Sequence, residues 1–527
     1  MRNLPSDLPA LLVLLIATLV FAAVFVDFSV SPFEDAAILM RYAGHLAGGH
    51  GIVWNVGEAP VDGATDFLFM AVVALLVKLG VALEIATRGI GFASHLLTVG
   101  VVYATARRHF RLPALPVSIA CSYLALGPGL FYVSAYFGTP FFALFASLSW
   151  CVALHIVQRG ESASSALGFA LFALVTALIR PEGVILSALM LGTILFLNGW
   201  RGSRRTTISY LAVFLIVGGA YFLWRWHYFG FPLPNAFYKK GGAHIQVGSL
   251  QSSVLMTIKL CMPLLPVFAL GLLSTRTRRL VLAFSIPLVG FAAAFAVLSD
   301  EMNYGARFQY ALLPIALMSC WPLVAGLGDA VAPRFGGLLP GQRLVLALAT
   351  VAMWAVVYLH ATMRLGYHRD GRYDVAVALS DYADRGLRVA TSESGLLPLY
   401  SRWTALDTWG LSDSWIAHHG AITEEYLGRF GPHLIVFHEF FSPLVPPREP
   451  RDARGREWFE MAMVLKAYAE KNGYTPAAAY GDSPYDAHLY YVRSDFPESD
   501  EIVRRIRETE YTWYRTGRKA INYLGVP

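Results

Sequence analysis

Glu34 and Asp35 are adjacent carboxylates a few residues beyond an apolar run from Leu8 to Phe28. Ionised groups beside lipid are costly unless they perform a task. Arg180 and Glu182 share a turn between two apolar runs in ALIRPEGVIL, Lys239 and Lys240 close FPLPNAFYKK, and Arg307 lies in NYGARFQY. Polar and aromatic neighbours surround them: Arg41, His45, His50, Asn55 and Asp66 in the first loop, Asn235 and Tyr238 beside the lysines, Tyr304 beside Arg307, and Trp409 in YSRWTALDTWGLSDSW. A carboxylate can act as general base on a hydroxyl, and Arg and Lys hold phosphate or pyrophosphate. Together these types suit a reaction between a lipid-phosphate donor and a hydroxyl acceptor. Each also has a plainer role: a solvated acid pair, a snorkelling Arg180, a solvated lysine pair, a helix-start Arg307.

The elements that must position these residues are membrane helices. The chain has 527 residues, 56% of them apolar and only 15% charged, against the usual 45–50% and about 25% of soluble domains. Spans of about 20 apolar residues are predicted at roughly 8–28, 84–106, 113–131, 140–157, 164–180, 182–199, 206–226, 252–273, 280–298, 309–327 and 343–361. The first is read as a retained signal anchor. With the N-terminus inside, the basic clusters at 107–111, 201–205 and 276–279 all become cytoplasmic. The opposite face then receives 29–65, 132–139, 180–183, 227–251, 299–308 and the C-terminal tail, so every candidate residue lands on one side. The stretch 66–82 is short and carries Lys78, so it is read as a juxtamembrane or re-entrant helix sheltered by protein.

From residue 362 the chain turns polar. Runs at 389–392, 433–437 and 488–492 read as strands and 456–471 as a helix, which predicts an α/β domain. The expected fold is therefore a polytopic α-helical membrane protein of about 11 transmembrane helices plus juxtamembrane helices. Its expected domains are 1–361 in the membrane, with a first outer loop at 29–83, and an extracytoplasmic 362–527. Cys121, Cys151, Cys261 and Cys320 lie in apolar runs, which gives no disulfide framework. The net charge of +6 is read as a topology signal, not a nucleic-acid footprint. P-loop, HExxH, GxSxG and strand-linked GxGxxG motifs are missing from the sequence. His418-His419 alone makes no metal ligand set, so no metal ligands are assigned and a divalent cation is left open.

FEDAAILMRYAGHLAGGHGIVWNVGEAPVDGATDFLF resembles the first outer loop of bacterial GT-C glycosyltransferases. More narrowly, it is similar to the mycobacterial terminal β-(1→2)-arabinofuranosyltransferase family. RPEG at 180–183, FPLPNAFYKKG at 231–241, NYGARFQYALLP at 303–314 and SESGLLPLYSRWTALDTWGLSD at 392–413 follow in matching order. The resemblance implies an inverting transferase that takes a sugar, arabinofuranose first and a mannose- or glucose-type sugar second, from a polyprenyl-phosphate donor. The acceptor would be a hydroxyl of a cell-envelope glycan or glycoconjugate, or else a protein or lipid, on the outer face of the bacterial plasma membrane. It implies Asp35, or else Glu34, as the base. Arg180, Lys239, Lys240 and Arg307 would hold the donor phosphate, and Arg41, His45, His50, Asn55, Asp66, Glu182, Asn235, Tyr238, Tyr304 and Trp409 would line the substrates. Glu34, Ala37 and Asp66 depart from the family pattern, which bears on the sugar. A lipid-linked sugar transporter is the competing class; its usual repeat symmetry and mid-span acids are not evident.

Overall fold

The computed structural model describes residues 4–240, 245–331, 368–439 and 453–524. The predicted span 343–361 and the expected domain boundary at 361/362 lie outside these residues. Among the described residues, six stretches are long and apolar enough to cross a membrane: Leu8–Phe25, Leu83–His109, Ala114–Ser134, Thr139–Arg159, Glu182–Phe229 and Val247–Leu273. Three shorter apolar helices join them, Phe67–Lys78, Ala163–Ile179 and Leu312–Ala325. Fewer stretches thus reach crossing length than the eleven expected.

The 48-residue stretch Glu182–Phe229 is a hairpin rather than a rod. Gly199 takes φ 69° and ψ 174° inside it, a backbone state open to glycine and costly for other residues. On either side the chain doubles back: Ser203 Oγ donates to Ile194 O at 3.3 Å, and the hydroxyls of Ser187 and Tyr210 meet at 3.0 Å. Two predicted spans, 182–199 and 206–226, are the two arms. The helix Phe67–Lys78 has 12 residues, about 18 Å at 1.5 Å per residue, too short for a hydrocarbon core of about 30 Å.

The C-terminal region builds one six-stranded sheet in the order β2-β1-β3-β5-β4-β6. The strands are β1 (Arg388–Thr391), β2 (Thr404–Asp407), β3 (Leu434–Glu439), β4 (Tyr474–Ser483), β5 (Asp486–Arg493) and β6 (Ile521–Asn522). β1 pairs in parallel with β2 and β3, and the remaining pairings are antiparallel. Successive side chains of β3 point to opposite faces, and both faces are covered. Leu434 and Val436 join a core continuous with the membrane helices, whereas Ile435 and Phe437 pack with Met461, Leu465 and Ala469 of the helix Ala453–Lys471.

The loop that follows the first helix is pinned to this sheet domain. Arg41 is buried and donates from Nε to Trp54 O at 2.9 Å, from Nη2 to Asn55 Oδ1 and to Trp403 O, both at 3.0 Å, and from Nη1 to Pro398 O. The Asn55 amide both donates to Ala405 O and accepts from Ala405 N at 2.9 Å. It thereby supplies the outer edge of β2 with the pairing a neighbouring strand would give.

Candidate active site

Asp35 lies in the first turn of the helix Glu34–Ala47, where the helix dipole favours an anion. Arg307 follows a short 3-10 turn in which Gly305 and Ala306 take φ values of 63° and 62°. For Ala306 that conformation costs roughly 1–2 kcal/mol. The tight turn carries Arg307 onto Asp35, with which it forms an ion pair. Its guanidinium also lies over the rings of Phe137 at 4.3 Å and Phe308 at 5.0 Å, a placement that aromatic faces favour. Burial alone would raise the Asp35 pKa; the charges of Arg307, Lys240 and Arg372 outweigh it and leave the carboxyl below its usual 3.8. Because the folded value is the lower one, this pair stabilises the fold above about pH 4 and is lost as pH falls through the lowered pKa.

Arg180 precedes Pro181, which excludes the helical conformation. It sits at φ −140° and ψ 138°, ending the helix Ala163–Ile179. Its guanidinium bridges Asp66 at 2.8 Å and Glu182 at 3.0 Å and lies 5.0 Å from the Phe308 ring centroid. Phe308 thus has a guanidinium over its ring from each of Arg180 and Arg307. Asp66 is raised by its burial against the opposing pull of Arg180.

Two cavities meet here. One, of about 330 Å³, is lined mainly by apolar side chains such as Leu39, Phe137, Ile185, Leu233 and Phe308, with Asp35, Asp66, Arg180, Glu182, Lys240, Glu301 and Arg307 among them. Its walls come from each of the segments 29–65, 132–139, 180–183, 227–251 and 299–308, with Leu411 added from the sheet domain. The other, of about 430 Å³, lies between the membrane part and the sheet domain. It is lined by polar and aromatic groups including Glu34, Tyr304, Arg372, Glu393, Asp407, Trp409, His438, Trp458 and Arg515. Asp35, Ile38, Lys240, Glu301 and Leu411 line both, so the Asp35 carboxylate stands where the two cavities adjoin.

Several predicted residues are placed elsewhere. The Glu34 carboxylate accepts from the backbone N–H groups of Gly395 and Leu396 and faces Arg372 at 3.5 Å. Burial raises its pKa. Through these contacts Glu34 joins the sheet domain to the start of this helix, and it also lines the polar cavity. Lys239 lines neither cavity: its Nζ donates to Gly420 O at 2.6 Å and lies 4.2 Å from the Trp409 ring centroid. Arg41 and Asn55 are spent on the contacts to the sheet domain described above. His45 Nδ1 donates to Val53 O at 3.0 Å, and the ring is pushed down to about 4 by burial and Arg41. His50 is exposed. Asn235 is buried, with its backbone N–H on Asp62 O at 3.1 Å, and Tyr238 packs on the His418 ring at 4.3 Å. Asp66, Glu182, Tyr304 and Trp409 do line the cavities.

The polar cavity also holds residues that no sequence signal singled out, among them Arg372, Glu393, His438, Trp458 and Arg515. Trp409 and Trp458 face each other with centroids 5.0 Å apart. Of these, Trp458 sits in the helical pattern 456–471, where it reads as core.

Comparison with known proteins agrees with this architecture. A family described as a domain of unknown function, DUF8728, matches residues 360–514. No curated protein matches the chain. Among solved structures, ArnT from Cupriavidus metallidurans bound to undecaprenyl phosphate is similar, with 14% identity and a TM-score of 0.56 over 91% of this chain and 97% of that one. The archaeal oligosaccharyltransferase AglB from Archaeoglobus fulgidus, in complex with an inhibitory peptide and a dolichol-phosphate, gives 11% identity and a TM-score of 0.51 over 95% of this chain and 77% of that one. This chain shares the fold of these two proteins, with several apolar helices and a C-terminal sheet domain.

Proposed function

We propose that the chain is an inverting membrane glycosyltransferase. It transfers a sugar from a polyprenyl-phosphate donor to a hydroxyl of a cell-envelope glycan or glycoconjugate on the outer face of the membrane. The observation that carries this reading is the position of Asp35 between an apolar-walled cavity bearing Arg180, Lys240 and Arg307 and a polar cavity bearing paired tryptophans. The first suits a lipid phosphate and the second a hydroxyl-rich acceptor.

In this mechanism the acceptor hydroxyl gives its proton to the Asp35 carboxylate as its oxygen attacks the anomeric carbon. The bond from that carbon to the phosphate oxygen breaks, and its electron pair leaves with the lipid phosphate. Fixed cations neutralise the charge that develops there, an effect strengthened in a water-poor site. Arg307 has two tasks. In the free protein it holds Asp35 ionised and weakly basic; a donor phosphate competes for the same guanidinium and restores basicity to Asp35 as it binds. Arg180 is already flanked by Asp66 and Glu182, so two carboxylates share its charge. The residues present fit phosphate chemistry without an assigned metal.

The pH profile reports this coupling. With the Asp35 pKa lowered, kcat/KM governed by the free enzyme is expected to stay flat as pH falls from 8 to about 5. Arg307→Gln removes the cation and leaves the raising effect of burial unopposed by its largest partner. The acid limb should therefore move upward into the measurable range. A limb that moves down, or stays in place, contradicts the role given to Arg307.

The proposed sugar is arabinofuranose, on the motif resemblance at 33–69, 180–183, 231–241, 303–314 and 392–413. Purified protein in detergent, incubated with a panel of polyprenyl-phosphoryl sugars, should transfer from the arabinofuranosyl lipid. Transfer only from mannosyl or glucosyl lipids overturns the sugar, and transfer from none overturns the enzyme class.

A further inference from the structure

Glu393, His438 and His488 each offer a ligand atom, and the three atoms lie within 4.8 Å of one another. They come from three neighbouring strands. Glu393 follows β1, His438 is the second-last residue of β3 and His488, its register partner, is the third residue of β5. Each imidazole has one nitrogen already held. His438 Nε2 bonds Asp486 Oδ1, and His488 Nδ1 meets the Tyr511 hydroxyl at 2.7 Å. The other nitrogens turn inward: His438 Nδ1 is 3.5 Å from Glu393 Oε1. His488 is fully buried, and its Nε2 has no hydrogen-bond partner. A buried ring nitrogen without a partner costs free energy unless something occupies it.

We infer that Glu393, His438 and His488 form a binding site for a zinc-type divalent cation, independent of Asp35. Two imidazoles and one carboxylate, each imidazole oriented by an outer partner, are the donor set such an ion prefers. Bonds of about 2.0–2.1 Å place tetrahedral ligand atoms about 3.3 Å apart, close to the 3.5 Å already present between Glu393 and His438. The surroundings tolerate the charge. Among the described residues, the carboxylates Glu34, Asp370, Glu393 and Asp486 are paired with two arginines, Arg372 and Arg515. Glu393 and His438 also line the polar cavity, so the fourth ligand position opens on the space assigned to the acceptor. The ion would tie β1, β3 and β5 together at that wall and present a Lewis-acidic point to an acceptor oxygen.

The test uses the full chain in detergent, stripped with a chelator and reloaded with Zn²⁺ alone, with bound metal measured by mass spectrometry. About one tightly held zinc per chain is expected. His488→Gln and Glu393→Gln should abolish it, Asp486→Asn should weaken it about 10–100-fold, and Asp35→Asn should leave it intact. No stoichiometric zinc in the native chain, undiminished zinc in His488→Gln, or loss of zinc in Asp35→Asn overturns the site. Co²⁺ in the native chain gives a reading free of any folding defect. Intense visible bands of a four-coordinate ion are expected, and a weak six-coordinate spectrum counts against it.

Discussion

Asp35→Asn is expected to leave the protein folded and to lower turnover by about 10²–10⁴-fold, the usual share of a positioned general base. The amide occupies the same volume and can still contact Arg307 but cannot accept the acceptor proton. The two kinetic constants should separate. Removing the carboxylate leaves Arg307 without its charge partner, so donor phosphate should bind at least as tightly while kcat collapses. The measurement is sugar transfer at saturating and at limiting donor, alongside melting in detergent. Turnover within a few fold of the native chain would sink the assignment of Asp35 as base. Glu34→Gln is the informative companion. Glu34 accepts from the Gly395 and Leu396 amides, so its loss should appear first in stability.

Gly395→Ala should be the most damaging small substitution in the chain's interior interface. A Cβ at residue 395 would stand 1.9 Å from the Glu34 backbone oxygen and 2.7 Å from its carbonyl carbon. Those atoms begin the helix that carries Asp35 and cannot give way as a flexible side chain could. Overpacking commonly costs about 1–3 kcal/mol, and a clash with backbone belongs at or above the top of that range. Melting should fall by several degrees and activity should fall with it, because the displaced helix start also holds Asp35. Gly168→Ala is the control: nothing lies within 4 Å of its new Cβ. It sits within the helix Ala163–Ile179, so a small gain from helix propensity is expected. Equal melting of Gly395→Ala and the native chain would mean that the outer loop and the sheet domain are not held together as described.

Much of this architecture is legible in the residues themselves because membrane helices announce themselves by length and apolarity. The arginine clusters then suggest an orientation that gathers 29–65, 132–139, 180–183, 227–251 and 299–308 onto one face, and residues of all five segments wall the first cavity. The β-branched and aromatic runs of β3 and β5 stand out in the same way. β4 does not: it contains Pro476, Ala477, Ala478, Ala479 and Gly481 and carries two bulges, a composition poor in strand formers. β2 is four residues ending in Asp407. The contacts of Arg41, Asn55 and Glu34 are harder to read. As residue types beside Asp35, Arg41 and Asn55 look like substrate contacts and Glu34 like an alternative base. Their partners, Trp403, Ala405 and Gly395, lie hundreds of positions away, and no local periodicity reports a contact of that separation. Lys239 and Lys240 make the same point at close range. Adjacent on one short helix, they point to different neighbours, one to Gly420 and the other to the cavities.

The pinning of Arg41 to Trp403 across 362 positions also sets a clock on biogenesis. Chains are made at about 5–20 residues per second, so the loop bearing Asp35 waits roughly 20–70 s after synthesis for the carbonyls that complete it. During that interval Arg41, Trp54 and Asn55 lack their sheet-domain partners and the Asp35 helix has no fixed start. The transferase proposed here would therefore be inert through most of its own translation, and a chain terminated before β2 would leave the first loop unfinished however well its helices insert.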